Sequence, residues 1–271
     1  PISRWTFRKT GGTGDPNEFA SQMVSLLFIS IFLFRKNKNI YFIIISVIAI
    51  GYSILYAGSM SSFIVLFLLG VFLLIRSLSL SFVKSLIITS VVTVSLITGM
   101  IIFQEQIESV EVINNLLGRT EETGTAYTRF HSWSAGLRMV ADHPLLGVGM
   151  RQYGAYSPKY STVFLAEDSV APHNILIEII SETGVLVFFA FLLFLFNLLS
   201  KYFGTIVHSD YFWLYLAVVA YLLMGLTIGI TYNKFFWLTI AVLMRVHSEL
   251  TFAREHVLDS EFAYTELKVL H

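Results

Sequence analysis

Seven runs of apolar residues dominate this chain, at about Asn17–Phe34, Ile40–Ala57, Ser61–Ile75, Phe82–Phe103, Ile175–Phe203, Tyr211–Gly229 and Phe235–Val246. Most approach the roughly 20 residues that a helix needs to cross a hydrocarbon core of about 30 Å. Lipid offers no water to backbone N–H and C=O groups, so each such run must be helical. The expected fold is an all-α polytopic membrane protein of about seven transmembrane helices, the third and last runs being the shortest. Composition agrees, since 55% hydrophobic residues, 24 Phe and only 13% charged residues in 271 lie outside the range of a soluble domain.

Two function classes fall away at once. No Cys is present, so a disulfide framework or thiolate metal site is excluded. The formal net charge is zero, so no nucleic-acid partner is implied. The opening "PISRWTFRKTGG" has no initiator Met and no signal-peptide pattern, and is read as the start of a truncated chain.

Lys and Arg in "RKNKN", "RSLSLSFVK" and "KYFGTIVHSD" mark those short loops as cytoplasmic. Alternation then places residues 1–16, "AGSMSS", 104–173 and "TYNK" outside. The expected division is a four-span segment at 1–103, an external loop at 104–173, a three-span segment at 174–246 and a cytoplasmic tail at 247–271, the tail being a short helix or unstructured. Arg4, Arg8, Lys9, Arg119, Arg129, Arg138, Arg151 and Lys159 fall on the external side. Some have local partners in reach, such as Arg138 with Asp142 at i,i+4 or Arg119 beside Glu121 and Glu122. As a set beside a membrane they suggest an anionic ligand, for instance a lipid phosphate.

Within the external loop, "TAYTRFHSWSAGLRMVADHP" has helical spacing, with Phe130, Trp133, Leu137 and Val140 forming an apolar stripe and Pro144 ending it. The spacing predicts an amphipathic interfacial helix with Trp and Phe inward and Arg129 on the border of the stripe. In "HPLLGVGMRQYGAYSPKY" glycine and proline are too dense for a helix, and no G-K-[ST] follows, so this is no P-loop. His131, His143 and His173 are scattered and suggest no zinc site.

The segment "PHNILIEIISETG" opens the fifth run. Pro172 suits a first helical turn, which puts His173 and Asn174 at a helix N-terminus. There the free N–H groups and the dipole favour an anion and a neutral imidazole, which is then available as a base. Asn174, Glu178 and Glu182 stand at i, i+4 and i+8 and line one stripe, which must face a bundle interior or a cavity rather than lipid. For Glu182 a structural pairing is the preferred reading, and for His173 a chemical one.

The order "RFHSWSAGLRMVADHPLLGVGMRQY", then "PHNILIEIISETG", then two further runs, resembles the O-antigen ligase and polymerase superfamily, whose signature runs Arg, Trp, a Pro-hydrophobic-Gly-x-Gly loop and His-Asn with Glu and Gly downstream. "RKTGGTGDPNEFA" is similar to the family's Asp-Pro-Asn element. The resemblance covers the chain as the C-terminal part of a typical member.

It implies a glycosyltransferase without cofactor or metal, multi-pass in the bacterial cytoplasmic (inner) membrane, its active site facing the periplasm or exterior. The donor would be a glycan on undecaprenyl diphosphate, and the acceptor a sugar or lipid A core hydroxyl, in O-antigen, capsule or exopolysaccharide synthesis. Membrane lipids are the other expected partners. Arg129 and His173 carry the family's catalytic Arg and His, with Arg8, Arg151, Asn174 and Glu178 as substrate-binding candidates. The chain departs at "GSMSS", where Met60 replaces a family Arg; Arg4, Arg8 or Lys9 is expected to supply that charge, with Arg8 preferred. Rival readings are a transporter or flippase, whose mark would be an inverted repeat, and a non-catalytic membrane scaffold.

Overall fold

A computed structural model of the chain describes residues 15–78, 81–102, 125–162, 171–206 and 209–269. Their regular structure is helical throughout: α1 (Pro16–Asn37), α2 (Ile40–Ala57), α3 (Met60–Ser77), α4 (Phe82–Ile102), α5 (Thr125–Asp142), α6 (Tyr153–Tyr160), α7 (Ile175–Ile206), α8 (Phe212–Gly225) and α9 (Lys234–Val269). By length and composition, α1, α2 and the Ile175–Tyr202 part of α7 can cross a membrane. Ser61–Ser77, Val83–Thr93 and Phe212–Gly225 are apolar but shorter, at 10–17 residues. The all-helical membrane fold is therefore present, with three such spans among the described residues where the sequence suggested about seven. The run expected at Phe235–Val246 opens α9, which continues unbroken through the charged tail to Val269.

Helix ends follow local chemistry. Asp15 caps α1 by accepting from Asn17 N–H at 2.7 Å, Pro16 supplies a first-turn residue that needs no donor, and Arg35 and Lys36 suit the negative dipole end. Lys38 then turns left-handed, and Asn39 caps α2 through Phe42 N–H.

α8 is the centre of the bundle, with Leu214, Leu216, Ala217, Val218, Ala220, Tyr221 and Met224 buried. It packs most extensively on α1 and also touches α3, α7 and α9. Lipid tails are as apolar as Leu, so association in a bilayer depends on close packing, and small residues at the contact permit it. Ala20, Ser21 and Ser25 of α1 meet that need, and the Ser25 hydroxyl donates to the Ala217 carbonyl at 3.3 Å. The two helices are antiparallel. Arg35 meets Asp210 at 2.6 Å at one end, and Asn233 donates to Glu18 at 3.0 Å at the other. These contacts put the start of α1 and "TYNK" on one side of the bundle.

The kink in α7 shapes the rest. At 1.5 Å per residue its 32 residues would run about 48 Å, well beyond a core of about 30 Å. Gly184 breaks it with φ 76° and ψ 177°, a backbone region open essentially to glycine alone. The break leaves residues 185–206 as a separate helical segment of roughly 33 Å, long enough to match such a core. It also redirects hydrogen bonds: Val185 N–H turns to the Pro144 carbonyl at 2.8 Å, while the Ser181 and Glu182 carbonyls accept from Val148 and Gly149, each at 2.9 Å. The loop 144–149 thus replaces one turn of helix. A side chain at Gly184 would collide with the Leu145 carbonyl, and one at Gly147 with the Glu182 backbone.

Two stability measurements check this account. Gly184→Ala is expected to lower stability by about 1–3 kcal/mol and to make residues 144–150 sensitive to limited proteolysis in detergent. Ala217→Phe, which overfills the α1–α8 contact, is expected to cost about 1–3 kcal/mol in detergent thermal unfolding, whereas Arg35→Ala at a half-exposed pair costs under about 1.

Candidate active site

α5 and α6 lie against the first half of α7, on the side of the bundle that holds the start of α1. The face of α5 that packs inward is Ser132, Ala135, Gly136 and Met139, at helical spacing. This corrects the sequence expectation, because Phe130 and Leu137 are 67% and 55% exposed and point away from that face. The small residues win the inner face because α5 must approach α7 closely: any side chain at Gly136 would press on Ile177. The expected Arg138–Asp142 pair also gives way. Arg138 donates to the Tyr160 carbonyl at 3.0 Å and Asp142 accepts from the Tyr160 hydroxyl at 2.8 Å, so both clamp the end of α6. That bond to Asp142 raises the phenol of Tyr160 above its ordinary pKa.

The stripe Asn174–Glu178–Glu182 faces protein in step with one turn of chain, residues 226–232. Asn174 donates to the Leu226 carbonyl at 3.1 Å, Glu178 accepts from the Thr231 hydroxyl, and Glu182 accepts from the Tyr232 hydroxyl. Thr231 is held in turn by Trp237, whose indole donates to its carbonyl at 2.7 Å. Both carboxylates are buried, Glu178 at 8% and Glu182 at 4% exposure, and each has partners, as burial of a charge requires.

Glu182 organises the entrance. Its carboxylate also accepts from the N–H of Arg151 at 2.9 Å and of Tyr153 at 3.1 Å. Gln152 makes no side-chain cap to α6, so a carboxylate from another helix satisfies the donors there instead. Arg151 adopts a left-handed φ of 60°, and its guanidinium lies over the Tyr232 ring, 4.7 Å from the centroid. Burial first, and then the Glu182 carboxylate, raise the Tyr232 phenol above its ordinary pKa, which keeps it a donor.

A cleft of about 300 Å³ opens here, lined by Arg151, Tyr153, Pro172, Glu178, Glu182 and Tyr232 among others. Of the residues expected at the site, Arg151 and Glu178 line it together, and Asn174 and His173 stand beside its Pro172 wall. Asn174 is the N-cap of α7, accepting from Leu176 at 2.9 Å and Ile177 at 3.2 Å. The expectation of open N–H groups there is therefore corrected: the Asn174 side chain occupies them. Pro172 likewise precedes the helix and does not sit in its first turn. His173 takes φ 47°, a left-handed conformation that His tolerates better than most residues, and it turns the incoming chain into α7.

Arg129 is linked to this segment through α5. One turn along the same flank, Trp133 donates to the Pro172 carbonyl at 2.8 Å. The Arg129 Nε is buried with no hydrogen-bond partner among the described residues. Burial lowers its pKa and the charge of Asp15, the α1 cap, opposes this, yet a guanidinium stays protonated at any physiological pH. Arg8, along with Arg4 and Lys9, lies outside the described residues. Tyr232, Thr231 and Tyr153 were not anticipated as site residues. The hydroxyls of "TYNK" were the available signal, but only the fold shows that they meet the glutamates.

The cleft presents one cation, Arg151, beside two buried carboxylates and the Tyr232 hydroxyl, while Arg129 and His173 lie on the neighbouring α5 flank and the segment leading into α7. No curated protein matches the chain. The family model described as O-antigen ligase matches residues 44–192, more than half of the chain, and that range contains Arg129, Arg151, His173, Asn174, Glu178 and Gly184. The chain belongs to the O-antigen ligase family.

Proposed function

We propose that this chain is a membrane glycosyltransferase of the ligase or polymerase type. In this reading it transfers glycan from undecaprenyl diphosphate to an acceptor hydroxyl on the outer face of the bacterial cytoplasmic membrane. The observation that carries the reading is Arg129, a half-buried cation whose Nε has no partner among the described residues, one helical turn from the Trp133 that holds the segment before His173. A buried unpaired donor on a guanidinium is costly, and an anionic ligand relieves that cost.

In the proposed reaction the acceptor oxygen attacks the anomeric carbon of the donor glycan. A new glycosidic C–O bond forms as the bond to the diphosphate breaks, and the hydroxyl proton passes to the His173 imidazole. Undecaprenyl diphosphate leaves with the electron pair. Its growing negative charge is met by Arg129 and by Arg151, which the Tyr232 ring holds over the cleft. Glu178 and Asn174 shape the acceptor side, Glu178 from the cleft wall and Asn174 by fixing the start of α7. Arg8 is proposed as a further cation for the donor. The segments 1–103 and 174–246 would form the membrane body, with 104–173 external and 247–271 cytoplasmic.

His173→Ala is expected to reduce glycan transfer by roughly 10²–10⁴-fold, the usual contribution of a general base, while the protein still inserts. Transfer near the parental level in a deletion-complementation assay, scored by polymer or ligated glycan on gels, would sink the proposal. Arg129→Lys keeps the charge but loses the planar fork, so transfer is expected to drop at least about tenfold with membrane abundance unchanged.

A further inference from the structure

We infer that Leu145 and Leu146 are a lipid-inserted tip that holds the cleft at headgroup height. Leu145 and Leu146 are 60% and 78% exposed, at the point where water-soluble loops avoid large apolar side chains. Their height relative to the bilayer is set by backbone contacts. The Leu145–Leu146 backbone lies against Gly184, and Pro144 accepts from Val185 at 2.8 Å. Gly184 is where α7 loses its polar residues: Leu186, Val187, Phe189, Leu193 and Phe196 follow, all exposed on the outside of a helix fit to cross a membrane. The two leucines are thus continuous with a lipid-facing surface, and the occupant that suits both is the acyl layer on the cleft's side of the membrane.

The consequence is positional. Glu182, on the cleft wall, is three residues from Val185, roughly 4.5 Å along a helix. The headgroup layer is about 5–7 Å deep on each side of the hydrocarbon core. The cleft and Arg151 therefore open among headgroups, at the depth where the phosphates of any lipid-linked molecule lie. This placement does not depend on glycosyl transfer, and its test needs no glycan.

The chain contains no Cys, so a single introduced thiol reports one site. The full chain carrying Leu146→Cys is labelled with an environment-sensitive nitrobenzoxadiazole dye and reconstituted in phosphatidylethanolamine–phosphatidylglycerol vesicles, with Lys159→Cys on exposed α6 as the reference. The expected result is blue-shifted emission at position 146, quenched several-fold more by doxyl-labelled lipid than by aqueous iodide, with the reverse at 159. Equal access of iodide to both labels overturns the inference. So does protection of the 146 label from both quenchers, because another protein surface or a second copy then covers the tip. If Leu146→Cys fails to insert, Leu145→Cys is read by the same criteria.

Discussion

The structure depends on an exchange of backbone hydrogen bonds at Gly184. A continuous α7 would pair Val185 with Ser181 and leave the Val148 and Gly149 N–H groups of the loop after α5 without the carbonyls they bond. With the helix broken, Val185 bonds Pro144, while Val148 and Gly149 take the freed carbonyls of Ser181 and Glu182. Loop and helix each satisfy what the other would leave orphaned, which matters most beside a membrane, where water is scarce. Because Gly147 and Gly184 sit where any side chain would strike the opposing backbone, the two glycine signals in the sequence belong to one contact.

That contact resolves the presence of three polar residues in an apolar run. Glu178 and Glu182 are not charges adrift in lipid. The helix breaks just after Glu182, and residues 226–232 supply a partner to each member of the stripe. Glu182 accordingly works as a structural anchor, gathering the start of α6 and the Tyr232 hydroxyl. The proposed chemistry therefore rests on groups around it: Arg151, displayed over Tyr232, and Arg129 and His173, on the α5 flank and the chain segment that Trp133 joins.

Some of this was legible from sequence because it rests on local physics. The apolar runs at 17–34 and 40–57 mark helices whose extent needs only the chain's own composition, and the structure has α1 and α2 there. The i, i+4, i+8 spacing of Asn174, Glu178 and Glu182 compels one stripe whatever surrounds it. The inner face of α5 was misread for a corresponding reason. Aromatic and aliphatic bulk marks an apolar stripe, but a helix seated tightly on another selects Ser132, Ala135 and Gly136, whose advantage is small size. Seven apolar runs likewise announce membrane character without revealing which helices are long enough to cross alone.

Sequence by itself determined the helical class, the membrane setting and the set of residues that carry the family signature, because each follows from composition or from spacing along one chain. Only the tertiary structure decided what those residues meet. Tyr232 meets Glu182 across 50 positions of sequence, Arg151 is turned over an aromatic ring by a left-handed backbone, and Asn174 spends its side chain on capping α7. Such pairings depend on where a broken helix sends its unused carbonyls, and that is settled by packing in three dimensions rather than by any local preference of the chain.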